Sequence, residues 1–122
     1  MSMIERKDAD LDFGTFTLAS STTFENVLDL GESEADHFGV NFAITTAAAG
    51  GTSWTPKLQG SSDGSTWADL VVGAAQTSTA AGEGITLYFP RESGVRYVRP
   101  NITKSGTYTA GVVSAAIDAY RA

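Results

Sequence analysis

Three aspartates at alternate positions, Asp8, Asp10 and Asp12, have the spacing of the first three oxygen ligands of a helical calcium loop. Such a loop also needs glycine at its sixth position and a bidentate glutamate at its twelfth, where this chain carries Phe13 and Ala19. The segment therefore reads as a solvated acidic arm. The single histidine, His37, stands beside Asp36 and near Glu34, the kind of partner a general base needs. One imidazole builds neither a triad nor a multi-histidine metal cluster. The chain has no cysteine and no G-x-S-x-G elbow to supply a nucleophile. No catalytic residue, metal ligand or cofactor loop is expected, and the chain is not read as an enzyme.

Other candidates concern binding. Trp54, Trp67, Tyr88, Tyr97 and Tyr108 could stack sugar rings, although on a small sandwich such aromatics serve more often as core and edge cover. Arg91, Arg96 and Arg99 set three guanidinium groups close in sequence, and in an acidic chain a protein carboxylate suits them better than phosphate. Asn101-Ile102-Thr103 matches a glycosylation acceptor. In Ser61–Trp67, SSDGSTW, Asp63 can cap the backbone amides of a turn, Gly64 can take positive φ, and Trp67 can pack over the hairpin. The stretch also resembles the Asp-box turn of sialidase-like propellers, with one residue fewer between aspartate and glycine, and a single copy cannot build a propeller.

These residues need elements to position them, and composition points to strands. The 122 residues suit one domain. Eight Lys and Arg against 14 Asp and Glu leave a net charge of −6, which opposes nucleic-acid and anionic-membrane binding. Charged residues are 18% of the chain, and Gly, Ala, Ser and Thr fill the difference. No apolar run approaches the roughly 20 residues of a membrane helix. The first residues, MSMIERKDADLDF, lack the apolar centre of a signal peptide, so synthesis in a reducing cytoplasm is expected.

Residues 38–45 alternate cleanly, with Phe38, Val40, Phe42 and Ile44 on one face. Further strands are expected at 13–18, 24–30, 54–60, 67–72, 85–89, 95–103 and 107–118. Asp63-Gly64 is the strongest hairpin signal and joins 54–60 to 67–72. AAAGG at 47–51 reads as a small flexible break, and 73–84 as a longish loop. Pro56 cannot donate to a ladder, so its strand or the start of that strand lies at an edge, and Pro100 suggests that its own strand reaches an edge there. In the last segment Val113, Ala116, Ile117 and Tyr120 also share a helical face, but Gly111 and the Val112-Val113 pair favour a strand. The expected core is Phe38, Val40, Phe42, Ile44, Leu58, Leu70, Leu87, Phe89 and Val98. The result is an all-β chain: a charged N-terminal arm at 1–12, then one antiparallel sandwich or barrel of about eight strands over 13–122.

Two families are similar to this chain. KLQGSSDGSTWADL, 57–70, and RYVRPNIT, 96–103, resemble discoidin-type β-sandwiches, which implies a carbohydrate-binding module as the alternative function. A longer resemblance is to the cement, or decoration, proteins of tailed-bacteriophage capsids. It rests on Asp29-Leu30-Gly31, the apolar strand 38–45, the hairpin 58–67, the proline-ended strand 85–90, RYVRPNIT at 96–103 and TAGVVSAAI at 109–117, in that order. That family implies a jelly-roll sandwich on the outer capsid surface of a virion made in a bacterial cytoplasm. It also implies the major capsid protein as partner and shell stabilisation by bridging capsomers. Shell symmetry implies self-association as a dimer or trimer. The chain departs from that pattern in its charged arm and Pro100. The arm is read as the capsid-contacting element, through Met3, Ile4, Arg6 and Lys7.

Overall fold

The computed structural model describes residues 2–5, 12–24, 26–29, 37–77, 79–88 and 95–121. Among these, nine strands form and no helix does: β1 (Ser2–Glu5), β2 (Asp12–Thr17), β3 (Asn26–Asp29), β4 (His37–Ala49), β5 (Ser53–Ser61), β6 (Ala68–Val72), β7 (Gly84–Tyr88), β8 (Tyr97–Ser105) and β9 (Ala110–Arg121). They make two facing sheets, ordered β1-β3-β8-β5-β6 and β2-β9-β4-β7. From β2 onward the pairing runs first with last: β2 with β9, β3 with β8, β4 with β7 and β5 with β6. This is the jelly-roll order, a long hairpin of strand pairs rolled into a sandwich.

Its tip is the Asp63-Gly64 turn, where Gly64 has φ 82°. The last segment is a strand throughout, since Val113 and Ala115 face the core while Ser114 and Ala116 face out, a period of two rather than a helical stripe.

The core lies between the sheets. Val40, Phe42, Ile44, Leu58, Leu87 and Val98 are buried as expected, and Leu70 packs at the margin. The side chains of Phe38 and Phe89 lie outside the described residues. The chain's first quarter adds Phe13, Phe16, Leu18, Phe24 and Leu28. Phe13 and Phe16 have opposite strand parity, yet both are fully buried. A register shift between Asp12 and Gly14, with Gly14 at φ 90°, inserts the extra residue that turns both rings inward. Phe24 then bridges Phe16 and Phe42, with ring centroids 5.4 and 5.8 Å apart. Each such side chain contributes about 1.5–3 kcal/mol by leaving water.

Several expectations need correction. Ser2–Glu5, expected within a free arm, pairs with β3 as an edge strand, and the pairing is parallel. The chain passes through β2 in the opposite sheet between β1 and β3, which is the crossover a parallel pair requires. Of the two readings of Pro56, an edge strand fails, because β5 runs between β8 and β6, and an open strand start holds. The Pro56 carbonyl accepts from Gly73 N (2.8 Å), so its nitrogen faces the same side, just where β6 has ended at Val72. The missing donor therefore falls at a local edge. Pro100 meets the expectation more closely, since the recorded β3 ladder on that flank stops at Val98.

AAAGG is not a flexible break either. β4 continues to Ala49, Gly50 holds φ 97°, and any Cβ on Gly51 would collide with the Tyr108 ring. The 73–84 connection is pinned to both sheets, by paired Gln76 and Trp54 backbones and by Ala48 N donating to Thr79 O (2.9 Å).

Candidate functional site

The outer face of the first sheet gathers the polar side chains. Antiparallel register sets Gln59 opposite Arg99 on one flank and opposite Asp69 on the other, with Lys57 opposite Asn101. Gln59 joins them. Its Oε1 accepts from Arg99 Nε (2.8 Å) and Asn101 Nδ2 (3.2 Å), and its Nε2 donates to Asp69 Oδ1 (2.9 Å). The amide has one workable orientation, because a guanidinium only donates and a carboxylate only accepts. Lys57 Nζ lies 3.5 Å from the same Asp69 oxygen. Asn101 Oδ1 accepts from Ile102 N, closing the chain of bonds.

Over this network the Arg99 guanidinium stacks 4.3 Å from the Trp67 ring centroid. Burial pulls the Arg99 pKa below its ordinary value, and the group stays charged at neutral pH. Gln59 and Asn101 are buried although they point away from the core. The network is a rigid polar clamp across β6, β5 and β8, with its hydrogen-bonding groups turned on one another rather than on an open site.

Beside it stands the hairpin tip. Ser61 Oγ donates to Asp63 Oδ1 and accepts from the amides of Asp63 and Gly64, and Asp63 Oδ1 also accepts from Ser65 N and Thr66 N. These bonds favour the ionised carboxylate and lower its pKa to about 2.

The outer face of the second sheet is different in kind. Register brings Thr15, Ser114, Ala43 and Gly84 into one row and Ala116, Asn41 and Thr86 into the next. These positions are small and uncharged, and Asn41 Nδ2 donates to Thr86 Oγ1 (3.0 Å). Tyr88 ends β7 with 63% of its surface exposed.

Sequence-derived candidates distribute as follows. Met3 and Ile4 lie in β1, in register with Val27 and Leu28, while Arg6 and Lys7 fall outside the described residues, as do Asp8, Asp10 and Arg91. His37 begins β4, opposite Arg121. Among the described residues no group of three or more acidic, histidine or cysteine side chains could hold a metal ion. The five aromatics do not share a surface: Trp54 and Tyr108 are buried, Trp67 and Tyr97 are on the first sheet's side, and Tyr88 is on the other. A sugar platform of five rings is therefore not assembled.

Arg96 forms a two-pronged pair with Asp29 (3.0 and 3.2 Å), the carboxylate partner its acidic surroundings suggested. Arg99 instead pairs with Gln59. Asn101 spends its amide nitrogen on Gln59 and is buried, so the glycosylation acceptor is closed. Sequence reading missed the clamp's centre, Gln59, and its ligand Asp69. The available signal was outward strand parity for Gln59 and its shared face with Lys57.

A family profile, Bbp16, matches residues 13–117. The chain belongs to the Bbp16 family. That is a phage-related family, and the match covers β2 to the greater part of β9, with both polar surfaces. Comparison with curated proteins finds no match. Membership makes this a phage-associated β-sandwich, and among its described residues no helix is long and apolar enough to cross a membrane.

Proposed function

We propose that this member of the Bbp16 family is a non-enzymatic structural protein that binds the outer surface of a phage capsid and stabilises the shell by bridging capsomers. The observation that carries the reading is the match of a phage-related family over 13–117, on a sandwich with jelly-roll strand order. The polar clamp is compatible with it, because the Gln59 and Asn101 amides are spent on bonds that tie β6, β5 and β8 together. Many weak contacts repeated over a shell need only modest affinity each.

The major capsid protein is the proposed partner, and the N-terminal segment the proposed contact. Among the described residues β1 pairs with one strand, β3, at the edge of its sheet, which places Met3 and Ile4 beside the free edge where a neighbour can dock, and Arg6 and Lys7 follow them in sequence. Copies of the chain associate as a dimer or trimer in the same reading. The small residues Ala43, Gly84, Ser114 and Ala116 on the second sheet allow a second copy to approach closely.

Co-sedimentation with cognate empty capsids tests the proposal. The intact chain is expected to pellet with shells. A chain lacking residues 1–7 is expected to bind at least about tenfold more weakly, roughly 1.4 kcal/mol. An intact chain that stays in the supernatant at saturating shell concentration would overturn the reading.

A further inference from the structure

Among aspartyl sequences Asp-Gly is the most open to isoaspartate formation, because glycine offers no side chain to hinder attack on the preceding carboxyl. In that reaction the Gly64 nitrogen attacks Asp63 Cγ, the amide proton passes to solvent, and the carboxyl oxygen leaves as water. The resulting succinimide takes up one water at either carbonyl carbon. One product is the original aspartyl peptide. The other is an isoaspartyl peptide whose main chain runs through Cγ. The net change in composition is nil.

The reaction needs an amide free to turn on the carboxyl, a carboxyl free to swing onto the amide, and a protonated oxygen to leave. Asp63 and Gly64 are both solvent-exposed, so solvent access does not limit it. Geometry does. The Gly64 N–H is spent on Ser61 Oγ at 2.8 Å. Asp63 Oδ1 is tied to Ser61 Oγ at 2.9 Å and to the amides of Ser65 and Thr66, at 2.9 and 3.0 Å. The carboxylate oxygen and the amide it would have to meet are thus each held by other partners, and reaction requires these bonds to break. Ser61 itself is buried at the end of β5, so its hydroxyl is held in place by the sheet. The low pKa of Asp63 adds to this by leaving little protonated acid at neutral pH.

We propose that the Ser61–Thr66 turn is a chemical shield that keeps the Asp63–Gly64 peptide from isomerising in the folded chain, so that isoaspartate forms here only through opening of the β5–β6 hairpin. The site is then a modification site gated by local unfolding. Once isomerised, the new α-carboxyl is a substrate for an isoaspartyl carboxyl methyltransferase with a sulfonium methyl donor.

The test is to age the intact protein near neutral pH beside the same protein held unfolded in urea. The peptide running from Leu58 to Arg91 is then digested out, and isoaspartate is measured by chromatography and by enzymatic methylation. The folded chain is expected to accumulate it at least roughly tenfold more slowly than the unfolded chain, in proportion to the open fraction. Ser61→Ala, shown to be folded by its urea transition, is expected to isomerise several-fold faster than wild type. Equal rates in the folded and unfolded wild-type chains would overturn the proposal whatever the variant does. A folded Ser61→Ala chain that ages like wild type would overturn the role given to the Ser61 hydroxyl.

Discussion

Asp63 accepts three hydrogen bonds on one carboxylate oxygen, and protonation weakens all of them. Its pKa falls from 3.8 to about 2 on folding, so its stabilising contribution is complete above the higher value and is lost as pH falls through the lower. Urea midpoints of wild type and Asp63→Ala should differ by a constant margin above about pH 5 and converge on acidification. This residue was legible in the sequence because its partners lie within three positions of it. The clamp was not, because Gln59 meets Asn101 across 42 positions and only register brings them together. Gly84 is a second residue whose role emerges from register. A Cβ there would run into the Phe42 carbonyl oxygen of the neighbouring strand, which has little room to give. Gly84→Ala should lower stability by about 1–3 kcal/mol, read as a shifted urea midpoint at unchanged slope.

Strands were readable wherever one face is apolar and the other polar, as in β4 over 38–45. Their ends were less so: the small residues of 46–49 give no alternation, yet β4 continues through them because β9 supplies a partner as far as Ala110. Proline was read correctly as a missing donor, and of an edge strand or an open strand start the second holds, since β5 is interior along most of its length and locally open at Pro56. The bulge at Gly14 defeats a period-two reading in the same way, by moving Phe13 and Phe16 to one face. β1 and β6, the two edges of the first sheet, are the weakest elements on these terms, and β1 alone of the two is joined by a parallel ladder. β1 has one neighbour and four paired residues, whereas β4 and β9 are flanked on both sides. Hydrogen exchange followed by mass spectrometry should show the amides of Ser2–Glu5 exchanging first and those at the centre of β4 and β9 last. Protection of β1 equal to that of β4 would show that the edge strand opens only with the whole domain.

At the scale of the molecule, the first-with-last pairing makes the Asp63-Gly64 tip a dividing line. Every antiparallel ladder joins a strand before the tip to one after it, so neither half holds an antiparallel pair of its own; the parallel contact of β1 with β3 is the exception. Such non-local pairing predicts folding on a millisecond-to-second scale. Fragments 1–63 and 64–122, made separately, should each lack a cooperative transition and should recover one when mixed, as followed by far-ultraviolet circular dichroism. A cooperative transition in either fragment alone would contradict that division. The same arrangement governs synthesis. While the ribosome adds about 5–20 residues each second, the emerging first half displays Phe13, Phe16, Phe24 and Phe42 with no antiparallel partner strand yet made. Among the described strands β2 pairs with β9 alone, so its ladder cannot form until residues 112–116 have been made. Until then the nascent chain presents an unpaired β2 and the apolar face that carries Phe13 and Phe16, the kind of surface that chaperones bind.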